Sequence, residues 1–134
     1  MIKKSYVLIF ISLILIQLNC APRGFSKQIE NIIENQNLTS AELKKLIDNK
    51  DKGFLLIDVR SKSEYDSGYI PRAINIPYTE IQEHLKDIPK NKLIIVYCKI
   101  GGRAEIARKK LLNSGYENVI NFGGISSWEY ELKK

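Results

Sequence analysis

Leu93-Ile94-Ile95-Val96-Tyr97-Cys98-Lys99-Ile100-Gly101-Gly102-Arg103-Ala104 passes from an unbroken apolar run into a charged, glycine-containing turn and then towards a helix. An apolar run of this kind, bounded by turn residues, is what a strand buried on both faces requires. Cys98 follows directly on that strand, Gly101-Gly102 permits a tight turn, and Arg103 to Asn113 reads as a helix with Ile106, Ala107, Leu111 and Leu112 inward.

The same alternation extends in both directions. Upstream, Thr39-Ser40-Ala41-Glu42 has capping-box spacing and is followed by Leu43, Leu46 and Ile47 on one helical face, with Lys52-Gly53 ending that helix. Phe54-Leu55-Leu56-Ile57 is a second doubly buried strand, with Asp58 and Arg60 at its carboxyl end. Glu64 to Ser67 reads as a helical turn, Ala73 to Ile76 as a short strand closed by Pro77, and Thr79-Glu80-Ile81-Gln82 as a capping box opening a helix to about Leu85. Downstream, Val119-Ile120 is a last strand, and Gly123-Gly124 precedes a C-terminal helix containing Trp128. Apolar strands alternating with helices specify an α/β domain with a mostly parallel sheet and helices on both faces. In such sheets ligands sit beyond the carboxyl ends of the strands, where Asp58 and Cys98 lie.

The first twenty residues are set apart from this pattern. Lys3 and Lys4 begin a leader whose Tyr6–Ile16 segment is almost wholly apolar, shorter than the roughly 20 residues a spanning helix needs. Gln17-Leu18-Asn19-Cys20 ends it, resembling a bacterial lipobox in which Gln17 and Asn19 replace the usual Leu and small residue. The expected organisation is a signal peptide over 1–19, lipidation of Cys20, a tether over 20–37 with a helical turn around Ile29, Ile32 and Ile33, and one domain over 38–134. Acylation then places the domain in the cell envelope, outside the cytoplasm; without it the chain is secreted or periplasmic. The chain has two cysteines, so Cys98 becomes the only thiol of the folded domain.

Of 134 residues, 44% are hydrophobic and 27% charged, an ordinary globular composition. Removing Lys3 and Lys4 leaves 19 basic against 15 acidic residues, a net +4 interleaved with acids, which argues against nucleic acid as a partner. The chemistry gathers at Cys98. Backbone N–H groups of a curled glycine turn, the positive end of the following helix, and the charges of Lys99 and Arg103 all favour a thiolate, the nucleophilic form. His84, the only histidine, lies on a polar face, so Cys98 has no histidine partner of the protease kind.

These segments together resemble the rhodanese-like sulfurtransferase family. Leu56-Ile57-Asp58-Val59-Arg60, Glu64-Tyr65 and Gly68-Tyr69-Ile70-Pro71-Arg72-Ala73-Ile74-Asn75-Ile76-Pro77 match its first half. Val96 to Ala104 matches its active loop; Gly115-Tyr116, Val119 and Gly123-Gly124-Ile125 through Trp128 match its end. The resemblance implies that Cys98 takes the outer sulfur of a donor such as thiosulfate as a persulfide and yields it to cyanide or a thiol, with no metal or cofactor. It further implies that the loop Lys99, Ile100, Gly101, Gly102, Arg103 binds the substrate and holds the persulfide.

Several residues carry two readings. Arg103 is read as a site residue or loop brace in preference to a surface cation. Arg60 binds an anionic donor or pairs with Glu64, and Asp58 fixes the loop; for both, the structural role is preferred. Lys99 either binds the donor or faces water. Arg72 stands where the family often has Gly or Asn, and its charge is placed at the entrance. Tyr69 and Trp128 are read as packing.

Three other functions compete. A Cys-based phosphatase needs five residues between Cys and Arg to encircle a phosphate; here four intervene, a ring suited to sulfur. A non-catalytic sulfur carrier or partner-binding domain usually lacks the cysteine. An exposed acidic thiol outside the cytoplasm also invites a redox role.

Overall fold

A computed structural model describes residues 24–134. The leader, the lipobox and Cys20 lie outside the described residues. Four strands form one parallel sheet: β1 (Phe54–Asp58), β2 (Ile74–Asn75), β3 (Leu93–Cys98) and β4 (Val119–Gly124), in the order β2-β1-β3-β4. Helices α1 (Lys27–Asn35), α2 (Ser40–Asp48), α3 (Lys62–Asp66) and α4 (Gly102–Asn113) complete the chain with short 3₁₀ turns at Leu85–Asp87 and Ile125–Ser127. This is the α/β architecture expected from the alternating pattern.

All six residues of β3 are buried, and their alternation divides the core. Leu93, Ile95 and Tyr97 join the cluster under α1 and α2, with Leu56, Ile70 and Trp128. Ile94, Val96 and Cys98 join the opposite cluster, with Ile57, Ile81, Val119 and the α4 residues Ala104, Ala107 and Leu111. After β2 the chain returns to the other side of β1 to make β3. The carboxyl ends of β1 and β3 therefore flank the point where the winding reverses, the usual place for a ligand crevice. Asp58 is paired in register with Tyr97, one residue before Cys98.

Five local expectations are corrected. The segment read as a tether contains α1, capped by Ser26, with Ile29 and Ile32 fully buried against the core. Those two side chains stabilise the packing by about 2 kcal/mol each, so the folded unit begins before residue 38. Polar composition hid this, because only the inward face of α1 is apolar. The helix expected from Thr79 is a series of tight turns with Glu80 N–H to Pro77 O and Glu83 N–H to Glu80 O bonds, then the 3₁₀ turn at Leu85–Asp87. Its capping residue Gln82 donates to the Ser114 hydroxyl (3.4 Å) instead of reaching back to Thr79.

The expected C-terminal helix is a single 3₁₀ turn, after which the chain runs on extended. There Tyr69 and Lys133 exchange backbone hydrogen bonds of 2.9 Å, and Trp128 Nε1 donates to Glu131 O. The backbone pairs with the Tyr69 segment rather than with itself. In α4 the buried stripe is Ala104, Ala107, Leu111; Ile106 sits off that stripe and is 46% exposed. Arg72 does not face the site. Its guanidinium donates to Asp51 O (2.7 Å) and Leu46 O (3.4 Å) and lies over the Phe54 ring, tying down the turn after α2.

Candidate active site

Cys98 ends β3 with its sulfur under the loop 99–103, and the residue is only 1% exposed. The Gly101 N–H donates to Sγ at 3.0 Å. Gly101 reaches this position through a left-handed backbone (φ 109°) and stands as the N-cap of α4. A side chain there would be strained, which is why glycine is required. Gly102 has open space around it and an ordinary φ, so the turn's conformational demand rests on the first glycine of the pair.

Burial pushes the Cys98 thiol up, but the backbone N–H groups of Ala104, Gly101, Ile100 and Arg103 act in the opposite sense and prevail. The thiol is held below its ordinary value. The amides of the loop and of the start of α4 are the chief groups favouring the thiolate, and the Arg103 guanidinium also interacts with Cys98. An alkylation profile checks the sign. The thiolate fraction of folded Cys98 falls only as pH drops through its lowered pKa, whereas the denatured chain loses thiolate near the ordinary value of about 8.5. The midpoint of iodoacetamide labelling at the Cys98 peptide is therefore expected at lower pH in the folded protein than in urea.

Arg103 and Glu64 form a two-bonded pair (Nη1–Oε2 2.7 Å, Nη2–Oε1 2.8 Å), each about a third exposed. The Arg103 guanidinium holds the Glu64 carboxyl well below the usual carboxylate range, and Glu64 raises Arg103 in return. Glu64 also accepts the Ser61 amide as the far end of the α3 capping box. One carboxylate thus ties the β1-side turn to the active loop.

Arg60 therefore does not pair with Glu64. It lies against Asp58 instead, with Nε at 3.0 Å from both carboxylate oxygens and Nη2 at 2.6 Å from Oδ2, and it donates to Gly68 O at 2.8 Å. Asp58 is fully buried and Arg60 nearly so. Burial opposes the Arg60 charge and Asp58 outweighs it, leaving the guanidinium above its ordinary value. Asn75 spans the same corner by donating to Asp58 O and Arg60 O, and the Tyr97 hydroxyl accepts the Ile70 N–H. Both residues are held within this network rather than presented to a donor. Lys99 and Ile100 are exposed, Ile100 to 82%. His84 is half-buried beside Asp87, and Tyr69 stacks on Tyr65 with ring centroids 4.2 Å apart.

Three residues shape the loop in ways the sequence does not announce. Glu64 was assigned the wrong arginine. Gly124 leaves room for the loop to pass: a Cβ there would lie 2.2 Å from Lys99 O and 2.8 Å from Ile100 Cα. Asn121 donates to Gly101 O at 3.2 Å. The Gly123-Gly124 pair is the available signal for the second and the Ser61–Glu64 capping box for the first, though it does not name the arginine; nothing local marks the third.

A rhodanese-like domain model matches residues 39–131. The chain belongs to the rhodanese-like family. A sulfurtransferase from Allochromatium vinosum is 34% identical over 99 residues, covering 73% of this chain and 87% of that one. A thiosulfate:glutathione sulfurtransferase from Saccharomyces cerevisiae is 30% identical over 120 residues, covering 78% and 86%. An adenylyltransferase and sulfurtransferase from Ogataea parapolymorpha is 36% identical over 80 residues, and the rhodanese-like chain spans only 20% of its length. Among solved structures, a rhodanese with anions from E. coli superimposes with a TM-score of 0.57 at 32% identity, over 60% of this chain and 98% of that one. Sulfur transfer is thereby assigned to this rhodanese-like chain at the level of the family.

Proposed function

We propose that Cys98 carries a sulfane sulfur between a thiosulfate-like anion and a thiol acceptor, for which cyanide substitutes in vitro. The observation that carries this reading is the amide cradle around a buried, acidic thiol. The Cys98 thiolate attacks the outer sulfur of the donor, the donor's sulfur–sulfur bond breaks, and sulfite leaves with the electron pair. The product is a Cys98 persulfide, whose terminal sulfur carries negative charge that inward-facing amides stabilise. An acceptor thiolate then attacks that outer sulfur, a new sulfur–sulfur bond forms on the acceptor, and Cys98 leaves as the thiolate it began as. The relative named thiosulfate:glutathione sulfurtransferase supports both substrate classes.

Arg103, already occupied by Glu64, acts here as the brace of the loop; Lys99 is the exposed cation beside the thiol that meets the donor anion. In this reading Cys20 carries the lipid and holds the domain at the outer face of a membrane in the cell envelope. A second reading, a carrier that stores sulfur for a partner protein, is favoured by the 1% exposure of Cys98.

Cys98→Ser decides whether there is a sulfurtransferase at all. With thiosulfate and cyanide, the native chain is expected to form thiocyanate, and the variant to lose at least about a thousandfold, as when a covalent nucleophile is removed. Equal turnover in the variant overturns the proposal. Stoichiometric persulfide without turnover selects the carrier.

A further inference from the structure

We propose that Asn121 is a positioning residue that fixes the Gly101 hinge, and with it the amides that surround the Cys98 sulfur, against β4. It lies on β4 opposite Val96, just before the register of β3 and β4 shifts. Its amide spans two elements. Nδ2 donates to Gly101 O at 3.2 Å and to Glu105 Oε2 at 3.3 Å, while Oδ1 accepts the Gly123 N–H at 2.8 Å. Gly101 is the hinge between the active loop and α4, and Glu105 stands in the first turn of α4.

The cradle has two halves that must converge on one sulfur. The amides of Ile100 and Gly101 come from the loop, and those of Arg103 and Ala104 come from the first turn of α4. The peptide between Gly101 and Gly102 joins the halves, and glycine at φ 109° places little restraint of its own on that peptide. Its carbonyl accepts two donors, the Glu105 N–H at 3.0 Å, which is the first bond of α4, and the Asn121 amide from β4. The Lys99 carbonyl is turned the same way, packed against Gly124 and within 3.5 Å of the Ser126 hydroxyl. The Lys99 and Gly101 carbonyls thus meet donors from Ser126 and Asn121, while the Gly101 N–H donates to the sulfur. A carbonyl released from β4 would bring the negative end of a peptide dipole towards the thiolate and raise its pKa. To the Glu105 N–H, which already joins the hinge carbonyl to the helix, Asn121 adds a hold from β4 on both the carbonyl and the Glu105 carboxylate, so the two halves are tied to one strand.

The inference depends on the sulfur-transfer reading only in taking the thiolate as the attacking group, and its test uses no sulfur donor. The pH dependence of iodoacetamide labelling at the Cys98 peptide is measured for the native chain, Asn121→Ala and Asn121→Asp. The aspartate keeps an acceptor for the Gly123 N–H and loses the donor to Gly101. Both variants are expected to move the midpoint up by about half a pH unit or more, with Asn121→Asp moving at least as far. A site that is merely loosened changes the plateau rate at high pH and leaves the midpoint in place. An unmoved midpoint in a variant with native circular dichroism overturns the proposal. So does loss of fold in both variants, which assigns Asn121 to stability alone. A native chain that labels with an acidic midpoint but takes no sulfur from thiosulfate defeats the sulfur reading and leaves this one to be decided by the variants.

Discussion

Gly124→Ala is expected to displace the active loop and to cost both stability and Cys98 reactivity. Gly124 has an extended backbone that any residue adopts (φ −118°), so the effect is one of space alone. The added Cβ would meet Lys99 O at 2.2 Å, and Lys99 C and Ile100 Cα at 2.8 Å. These are backbone atoms, with no side-chain rotamer to yield. Overpacking of this kind costs about 1–3 kcal/mol, and the immobile obstacle places Gly124→Ala at or above the top of that range. For a domain of this size the expected fall in Tm is on the order of 10 °C by circular dichroism. Labelling of Cys98 should return towards the profile of an ordinary thiol, because the Ile100 and Gly101 amides move with the loop. Gly102→Ala is the control. Nothing lies within 4 Å of its Cβ position, so its stability should stay within about 1 kcal/mol of native.

The second large effect is expected at Asp58. Its carboxylate accepts the Arg60 N–H at 2.9 Å and three guanidinium contacts, and both side chains are almost completely buried. Asp58→Ala leaves a buried guanidinium with Gly68 O as its remaining hydrogen-bond partner. Removing one partner of a buried pair costs about 3–5 kcal/mol, because the surviving charge stays desolvated. Urea unfolding should show a lower midpoint with little change in slope. The double variant Asp58→Leu/Arg60→Met should recover much of that loss, since two apolar groups leave no charge to desolvate. Recovery of stability in the double variant, without an effect on donor KM beyond that of its loop, would place the pair in the scaffold. A selective rise in KM for thiosulfate in that variant would return Arg60 to the donor.

The strands and the candidate active loop were legible because their signals are local. Leu93–Tyr97 is apolar without interruption, and the step from Tyr97 through Cys98 to the glycines carries strand, nucleophile and turn in consecutive residues. The pairing of charges was not legible. Glu64 lies four residues after Arg60 and 39 before Arg103, so sequence proximity favours the wrong partner. The capping box at Ser61 turns the Glu64 carboxylate back across its own helix start, where the active loop arrives from β3. Thr79 carries the same cap signature, yet Gln82 finds Ser114 and no helix forms. Helix α1 is legible only as a helical turn around Ile29, Ile32 and Ile33: Ile29 and Ile32 are its two buried anchors in an otherwise polar segment, enough to pack but too few to mark the whole helix. Asn121 has no local signature, because its role arises only when β4 is laid beside the loop.

A Cys98 persulfide held by loop amides is the intermediate on which the proposed reaction turns. Its most direct measurement is the intact mass of the protein after incubation with thiosulfate, with the modified peptide mapped, followed by addition of cyanide. One added sulfur atom on Cys98, discharged by cyanide with release of thiocyanate, is the predicted result. An unmodified Cys98, or a sulfur that cyanide does not remove, would contradict it.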